Sequence, residues 1–266
     1  MLARELAGQA GRRLLELRSR GGRPDVLRRT GDRLSHEFLV AELAARRPGD
    51  VVLSEEGADD PARLAASRVW IVDPLDGTKE FGEPGRTDWA VHVALWERAG
   101  AAADGTAGPG ELTAGAVALP AQGRVLSTLD PPPQPAGSGR PGSAGEPRAT
   151  AGPVRIVVSR TRAPRLVRDI ADLIGAELIL LGSAGAKVAA VICGEADAYV
   201  HAGGFYEWDT AAPVAVARAA GCHASRIDGS PLAYNQADLK VPDILVCLPV
   251  LAGALLQAIR EVTNAL

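Results

Sequence analysis

Two amphipathic helices are predicted at the start of the chain. Leucines lie among charged residues at helical spacing over residues 1–18, and the glycines and proline at 21–24 end this run. A second helical pattern covers about Leu34–Arg46. Asp32 stands close to the start of that pattern, so it is predicted either to cap the helix or to take part in chemistry.

Short apolar runs follow and predict strands, the last three of which form an antiparallel series. His92 alternates with Val91 and Val93 in one of these runs, and it is therefore interpreted as a strand residue rather than a metal ligand. The predicted strands of this part of the chain are 51–53, 69–72, 89–96, 113–119 and 124–128.

Residues 130–153 interrupt the pattern of helices and strands. Consecutive prolines and a mixture of glycine, serine and alanine cannot bury a core, which predicts an exposed or partly disordered connection. A polyproline segment that binds a partner is the alternative. The connection divides the chain into an N-terminal α+β half, residues 1–129, and a C-terminal half, residues 154–266.

The C-terminal half alternates strand and helix patterns, as is typical of an α/β layer. Ser183 precedes one of the helices and is predicted to cap it, and Lys187, one turn later, points either toward an anion or toward solvent. Strand patterns cover 154–159, 178–181, 198–201 and 244–248, and helix patterns cover 166–174, 184–193, 211–220 and 250–262.

Composition narrows the class of protein. With 266 residues and 47% hydrophobic content, the chain can form one large domain or two closely packed ones. A net charge of -3 and a pI near 5.9 argue against binding to a nucleic-acid polymer or a membrane, but not against a small phosphate ester. No stretch resembles a signal peptide or a membrane span, which predicts a cytoplasmic protein. The single cysteines, Cys193, Cys222 and Cys247, predict reduced core thiols.

The strongest candidate for chemistry is the stretch V-W-I-V-D-P-L-D-G-T-K-E-F at residues 69–81. An apolar run brings Asp73 and Asp76 to a strand end, where Pro74 and Gly77 turn the backbone. Carboxylates this close repel one another, and a hard divalent cation such as Mg²⁺ is the simplest compensation. A plain strand followed by a turn is the alternative for this stretch taken alone.

Two further acidic stretches favour the metal hypothesis. Glu55 and Glu56 end another short apolar run, and Asp209, in E-W-D-T, precedes a helix pattern of small residues. Taken singly, the glutamate pair would be a solvated loop and Asp209 a helix cap. Together with Asp73 and Asp76 they supply acids from three separate elements, which predicts a metal cluster.

Three motifs follow one another along the chain: L-S-E-E, D-P-L-D-G-T and E-W-D-T-A-A. Together they resemble the signature of the inositol monophosphatase superfamily of Mg²⁺-dependent, Li⁺-sensitive phosphatases. Lys79-Glu80-Phe81, Ser159-Arg160 and Lys187 make the chain most similar to the CysQ-type branch, which acts on 3'-phosphoadenosine 5'-phosphate. The resemblance covers nearly the whole chain. It implies a layered α-β-α-β-α sandwich, of mixed α+β and α/β class, and a homodimer.

The resemblance also implies the metal ligands. One Mg²⁺ would be held by Glu55, Asp73 and the backbone carbonyl of Leu75, and a second by Asp73, Asp76 and Asp209. The family holds a third ion with an aspartate at the end of a longer glycine-rich loop. This chain keeps only Gly31-Asp32 of that loop, so the resemblance implies two or three ions.

Catalytic and substrate-binding roles follow from the same resemblance. Thr78, Glu56 and Asp32 would relay a proton and orient the attacking water. The expected activity is removal of the 3'-phosphate of 3'-phosphoadenosine 5'-phosphate, which yields AMP during sulfate assimilation. The alternatives are an inositol-1-phosphate or fructose-1,6-bisphosphate phosphatase and, from another class, a non-catalytic nucleotide sensor. The residues expected to bind substrate are Gly77, Thr78, Lys79, Ser159, Arg160, Ser183, Lys187, Glu207 and Asp209.

Overall fold

A computed structural model of the chain describes residues 1–100, 110–133, 152–161 and 163–264. Its helices are α1 (Leu2–Ser19), α2 (Pro24–Arg46), α3 (Thr78–Phe81), α4 (Arg165–Ile174), α5 (Ala184–Ile192), α6 (Glu207–Ala219) and α7 (Ala252–Asn264). Its strands are β1 (Val51–Ser54), β2 (Arg68–Asp76), β3 (Ala90–Glu97), β4 (Glu111–Leu119), β5 (Arg124–Ser127), β6 (Arg155–Ser159), β7 (Glu177–Leu181), β8 (Ala198–Tyr206), β9 (His223–Ser225) and β10 (Lys240–Cys247).

Within the described residues, the strands form two sheets of five. The first sheet has the order β1-β2-β3-β4-β5, with β1 parallel to β2 and the other neighbours antiparallel. The second has the order β7-β6-β8-β10-β9. Its strands β7, β6 and β8 are parallel, and β10 runs antiparallel to both β8 and β9.

Helices cover both outer faces and fill the space between the sheets. Helices α1 and α2 pack on the outer face of the first sheet, α5 and α6 lie between the sheets, and α4 and α7 cover the second sheet. Both faces of the first sheet are apolar, which explains why helices cover both. On β2, Val69 and Ile71 point to the middle helices, while Trp70 and Val72 point to α1 and α2. These α-β-α-β-α layers confirm the predicted fold class.

Helix α2 differs from its prediction, because it begins at Pro24 rather than near Leu34. Arg23 is extended and Pro24 occupies the first helical position, where its missing N–H group costs no hydrogen bond. Gly31 and Asp32 are therefore helical residues inside α2. The prediction that Asp32 caps this helix, and the assignment of both residues to a loop, are wrong.

Strand β8 is also longer than predicted and reaches Tyr206. Its pairing with β10 shifts between Val241 and Asp243, where β8 carries one residue more than β10. Gly203 and Gly204 have φ angles of 150° and 84°, which glycine adopts readily, and they accommodate this extra residue as a bulge. The strand thus continues directly into α6.

Most of the predicted connection, residues 134–151, lies outside the described residues, and so does residue range 101–109. The first sheet lies before the connection in sequence and the second lies after it. Among the described helices, none combines the length and apolar character required to span a bilayer.

Candidate active site

Asp73 and Asp76 lie on β2 where its pairing with β3 is irregular. Asp73 is opposite His92 and Asp76 is opposite Ala90, so β2 carries one more residue than β3 in this interval. Side chains three positions apart on a regular strand point to opposite faces, and an extra residue brings them to the same face. Both carboxylates consequently enter one buried cluster.

The third carboxylate of the cluster comes from the first turn of α6. This helix begins at Glu207, so the E-W-D segment is helical rather than preceding the helix. Asp209 Oδ2 accepts a hydrogen bond of 2.7 Å from the Tyr206 amide, which fixes the carboxylate at the helix start. Oxygen atoms of Asp73, Asp76 and Asp209 lie within 4.8 Å of one another.

Asp76 is held by the N-terminus of α5. The Ser183 hydroxyl donates to it at 2.5 Å, and the Ala184 and Gly185 amides donate at 3.1 and 2.7 Å. His92 Nε2 lies 3.2 Å from Asp76 Oδ2, at ion-pair distance but off the line of a hydrogen bond. Burial alone would raise the pKa of Asp76, but the charge of His92 and these hydrogen bonds lower it to about 2.

The other acids of the cluster have raised pKa values. Desolvation and then repulsion from Asp76 raise the pKa of Asp73 well above its ordinary value and that of Asp209 to about 7. Desolvation and neighbouring acids also raise the pKa of Glu55 to about 7, and its carboxyl is close enough to share a proton with Asp73. Crowded carboxyls that retain protons fit a cation site, and a donor set of oxygens alone suits a hard cation.

His92 is fully buried and contacts both the first sheet and α6. Its Nδ1 lies 3.1 Å from the Trp208 carbonyl oxygen and donates to it, and its Nε2 is the atom beside Asp76. Burial lowers the pKa of His92, but Asp76 outweighs burial and the net pKa is raised. The sequence placed this histidine on a strand without linking it to the site, and its only signal was a polar ring within an apolar run.

Thr78 follows the turn, and Asp32 approaches it from α2. Thr78 Oγ1 lies 3.2 Å from Asp32 Oδ1 and 3.0 Å from the Leu75 carbonyl oxygen, so its proton can be donated to either. Desolvation and then the charge of Glu56 raise the pKa of Asp32 to about 6. The structure thus brings Thr78 and Asp32 within hydrogen-bonding distance, and Glu56 acts on Asp32 through its charge. The relay of a proton through these residues stays a prediction.

Arg160 lies beside the segment that follows the metal turn. Its guanidinium pairs with Glu80 Oε1 at 2.7 Å and with Glu83 Oε1 at 2.6 Å. Ser159 Oγ lies 3.3 Å from Thr161 Oγ1. These contacts attach the end of β6 to α3, and the predicted contact of Ser159 and Arg160 with substrate stays a prediction.

Ser183 and Lys187 lie at the start of α5. Ser183 Oγ accepts a hydrogen bond of 2.9 Å from the Ala186 amide, which confirms the predicted cap. Lys187 is buried rather than solvated, its Nζ donates to the Gly182 carbonyl at 3.3 Å, and it lies 5.2 Å from the centre of the Tyr199 ring. Desolvation lowers the pKa of Lys187.

Glu207 is buried and accepts hydrogen bonds of 2.7 Å each from the Asn235 and Gln236 amides. Desolvation raises its pKa to about 7, although these two amides oppose the rise. Arg63 extends the network, because its Nη1 donates to Asn235 Oδ1 at 2.9 Å and its Nε donates to Asp59 at 2.6 Å. The network joins the start of α6 to the chain that follows β1, and binding of a substrate hydroxyl by Glu207 stays a prediction.

Comparison with known proteins identifies the family. The model described as the inositol monophosphatase family matches residues 17–264, nearly the whole chain. The chain belongs to the inositol monophosphatase family. Membership confirms the resemblance inferred from the motifs at Asp73 and Asp209, and the metal dependence of this family agrees with the acid cluster.

Three relatives place the chain more closely within the inositol monophosphatase family. A protein named 3'-phosphoadenosine 5'-phosphate phosphatase, from Mycobacterium leprae, is 50% identical over 264 residues, which cover 98% of this chain and 93% of the relative. The 3'(2'),5'-bisphosphate nucleotidase CysQ of Escherichia coli is 30% identical over 77% of this chain and 78% of its own. The crystal structure of CysQ from Bacteroides thetaiotaomicron is 30% identical and covers 92% of this chain and 95% of that chain, with a TM-score of 0.70.

Proposed function

We propose that this protein is a Mg²⁺-dependent 3'(2'),5'-bisphosphate nucleotidase that hydrolyses the 3'-phosphate of 3'-phosphoadenosine 5'-phosphate to AMP and phosphate. Two observations support the proposal. The acid cluster suits a hard cation, and the chain is 50% identical, over nearly its full length, to a phosphatase named for this substrate. The proposed setting is sulfate assimilation in the cytoplasm. A homodimer and inhibition by Li⁺ belong to the same proposal.

The proposed ligands of two Mg²⁺ ions are acids that the fold brings together. Glu55, Asp73 and the Leu75 carbonyl would hold one ion, and Asp73, Asp76 and Asp209 would hold the second. When bound there, such ions neutralise phosphoryl oxygens and make water a stronger acid. The chain itself fixes the positions of two of these ligands. Asp76 is held by three hydrogen bonds, and Asp209 is held by the hydrogen bond that caps its helix.

The proposed role of Thr78 is to orient the attacking water and carry its proton. Thr78 Oγ1 would accept a hydrogen bond from the water while its own proton is donated to Asp32 of α2. With a pKa of about 6, Asp32 is largely ionised near neutral pH and can receive that proton. Glu56 would share in this relay, and Asp32 is also the proposed ligand of a third Mg²⁺.

The proposed substrate contacts surround the two carboxylates of β2. Amides of Gly77 and Thr78 would bind the phosphate that is released, and Glu207 would lie toward the ribose. The other phosphate of a bisphosphate needs cations, which the chain offers in the exposed Lys79, in Arg160 and in the buried Lys187. Ser159, Ser183 and Asp209 complete the proposed set.

The proposal is tested by the rate of phosphate release from three esters, measured side by side with and without Mg²⁺. We expect kcat/KM for adenosine 3',5'-bisphosphate to exceed that for inositol 1-phosphate and fructose 1,6-bisphosphate by at least about tenfold. Inositol 1-phosphate has no second phosphate for Lys79, Arg160 and Lys187 to bind, and fructose 1,6-bisphosphate carries its second phosphate on a different framework. A preference for either of the other esters would assign the protein to that substrate. Binding of the nucleotide without turnover of any ester would indicate a sensor.

The metal centre is tested by Asp76→Asn, which keeps the size of the side chain but removes its charge. We expect phosphate release to fall by roughly 100-fold or more, because a ligand charge is lost at the reacting centre. Asp172→Asn is the matched control, since Asp172 is exposed on α4. Near-normal activity of folded Asp76→Asn would contradict the assignment of Asp76 as a ligand.

A further inference from the structure

One exposed aromatic ring lies beside the candidate active site. The chain has four tryptophans, three tyrosines and three phenylalanines, and all of them fall in described parts of the chain. Nine of these side chains are buried or half-buried, whereas Tyr206 is 45% exposed. A single exposed hydrophobic residue is ordinary, so the contacts of Tyr206 decide whether the ring has a use.

The Tyr206 ring is held in place on one face and open on the other. It stacks on the Trp208 indole, with ring centres 4.8 Å apart and an angle of 10° between the planes. Trp208 itself packs against the central core. The backbone of Tyr206 is fixed as well, because the residue pairs with Lys240 of β10 and caps α6. The result is a rigid flat surface with one free π face.

The backbone of Tyr206 is joined directly to the acid cluster. The Tyr206 amide donates to Oδ2 of Asp209, whose other contacts place it among the cluster acids. The backbone of Tyr206 therefore lies against a proposed metal ligand, and the next residue, Glu207, is the one proposed to lie toward the ribose. In a nucleoside 3'-phosphate the ribose joins the phosphate to the base, so a residue next to the proposed ribose contact is placed to meet the base.

The charge around the ring also suits an uncharged base. The acid next in sequence, Glu207, is buried and satisfied by two backbone amides, so it does not compete for a ligand at the ring. Stacking on an aromatic face requires only a flat π system on the ligand. Inositol and fructose phosphates have no such group, whereas adenosine phosphates do.

From this geometry we propose that Tyr206 is the platform on which the adenine of the substrate stacks, and that it gives the enzyme its preference for a nucleotide over a base-free ester. This proposal rests on the proposed function and deepens it. Tyr206 takes no part in the chemical step. It determines specificity, because the energy of stacking is available only to a substrate with a base.

The test compares adenosine 3',5'-bisphosphate with its abasic analogue, 1-deoxyribose 3,5-bisphosphate, which keeps both phosphates and the sugar. We expect Tyr206→Ala to lower kcat/KM for the nucleotide by roughly 5- to 100-fold, the range that aromatic stacking provides, mainly through KM. For the abasic analogue, kcat/KM should stay within about twofold of the wild type. Tyr206→Phe and Tyr206→Trp keep a π face and should retain the preference for the nucleotide.

Two further variants separate stacking from bulk and from general surface effects. Tyr206→Leu keeps an apolar side chain without a π face and should behave like Tyr206→Ala. Val250→Ala removes a side chain of similar exposure, 44%, from the distant 3-10 turn Pro249–Leu251 and should leave both substrates unaffected. Equal losses on both substrates in Tyr206→Ala, or no loss on either, would overturn the proposal.

A binding measurement keeps this proposal distinct from the proposed function. Calorimetric titration with AMP and with ribose 5-phosphate reports the contribution of the base without any turnover. We expect the wild type to bind AMP at least about fivefold more tightly than ribose 5-phosphate, and Tyr206→Ala to lose this difference. A wild type that binds both equally contradicts the role of Tyr206. Base-dependent binding without hydrolysis of the bisphosphate contradicts the proposed function alone.

Discussion

At the scale of single residues, His92 connects two parts of the site that are far apart in sequence. It contacts Asp76 of the first sheet, and it donates to the Trp208 carbonyl of α6, 116 residues away along the chain. Its positive charge favours the ionised form of Asp76, whose pKa is about 2. In the same cluster the pKa of Asp209 is raised to about 7. One side chain thus keeps a proposed ligand free of protons and positions the helix that carries Asp209.

We expect His92→Leu to weaken the site without unfolding the protein. The change removes the charge that keeps Asp76 ionised and leaves the Trp208 carbonyl without its donor, so protons compete better with metal. The Mg²⁺ concentration for half-maximal activity should rise roughly 10- to 100-fold, the usual effect of losing a partner of a metal ligand. The rise should be larger at pH 6 than at pH 8, as measured by activity and by calorimetric titration of Mg²⁺.

His92→Asn and His223→Asn complete that experiment. The asparagine at position 92 can still donate one hydrogen bond, so it should recover part of the Mg²⁺ affinity. His223 is a half-buried histidine on β9 that contacts Ser225, and its replacement should leave the Mg²⁺ requirement unchanged. An unaltered Mg²⁺ dependence in folded His92→Leu would show that this histidine serves packing alone.

At the scale of elements, α2 positions Asp32 through a close contact with the metal turn. A Cβ atom added at Gly31 would lie 2.8 Å from Phe81 Cε1 and 3.0 Å from Leu75 Cδ2, both in buried side chains. The helix therefore approaches the turn as closely as a glycine allows. This approach brings the Asp32 carboxylate within 3.2 Å of Thr78 Oγ1.

Gly31→Ala should consequently push α2 away from the turn. Overpacking of this kind costs about 1–3 kcal/mol, which corresponds to a fall of roughly 2–10 °C in Tm for a chain of this size. Activity should fall as well, because Asp32 moves away from Thr78. Gly8→Ala in α1 is the control, since a Cβ there meets atoms no closer than 3.6 Å and alanine favours the helix. Equal Tm and activity in Gly31→Ala and the wild type would contradict the close-contact argument.

What the sequence predicts about these elements depends on how local the information is. Asp73 and Asp76 share one turn, so their spacing alone suggests a pair of carboxylates, whereas the role of Thr78 was inferred from the family resemblance. The motif at Asp209 lies far from this turn in the sequence, and it was linked to the turn because its residues resemble those of a family. The start of α2 was missed because Pro24 ends one helix pattern and begins the next, and a single sequence does not distinguish these roles. The contacts of His92 depend on strand pairing and on packing between layers, which no local pattern encodes.

At the scale of the whole molecule, the layers bring acidic side chains together in the interior. Carboxyls from β2 and from α6 meet where the first sheet packs on the middle helices. The sequence predicted this order of layers through the family resemblance and the alternation of strand and helix. The energetic consequence is not visible in the sequence, because it arises from desolvation and repulsion in the folded state. Without metal, the fold retains protons that the unfolded chain would release.

The stability of the metal-free protein should therefore fall as the pH rises from about 5 to about 8. Desolvation is the largest cause that raises the pKa of Asp32 to about 6 and the pKa values of Glu55, Asp209 and Glu207 to about 7. The unfolded chain ionises these groups near pH 4, so between these values the folded state binds more protons, and its stability is lost as the pH passes through the raised pKa values. The lowered pKa of Asp76, about 2, acts only below this window.

Saturating Mg²⁺ should reverse this trend, because the ion replaces the protons and binds the folded state. We expect the rise in Tm on adding Mg²⁺ to be several degrees greater at pH 8 than at pH 5.5, measured by thermal unfolding after removal of metal with a chelator. Asp76→Asn should lose most of that Mg²⁺-dependent rise, while Asp172→Asn should keep it. A metal-free Tm that increases from pH 5 to pH 8, or a Mg²⁺ effect independent of pH, would mean that these carboxyls do not titrate with raised pKa values in the folded protein.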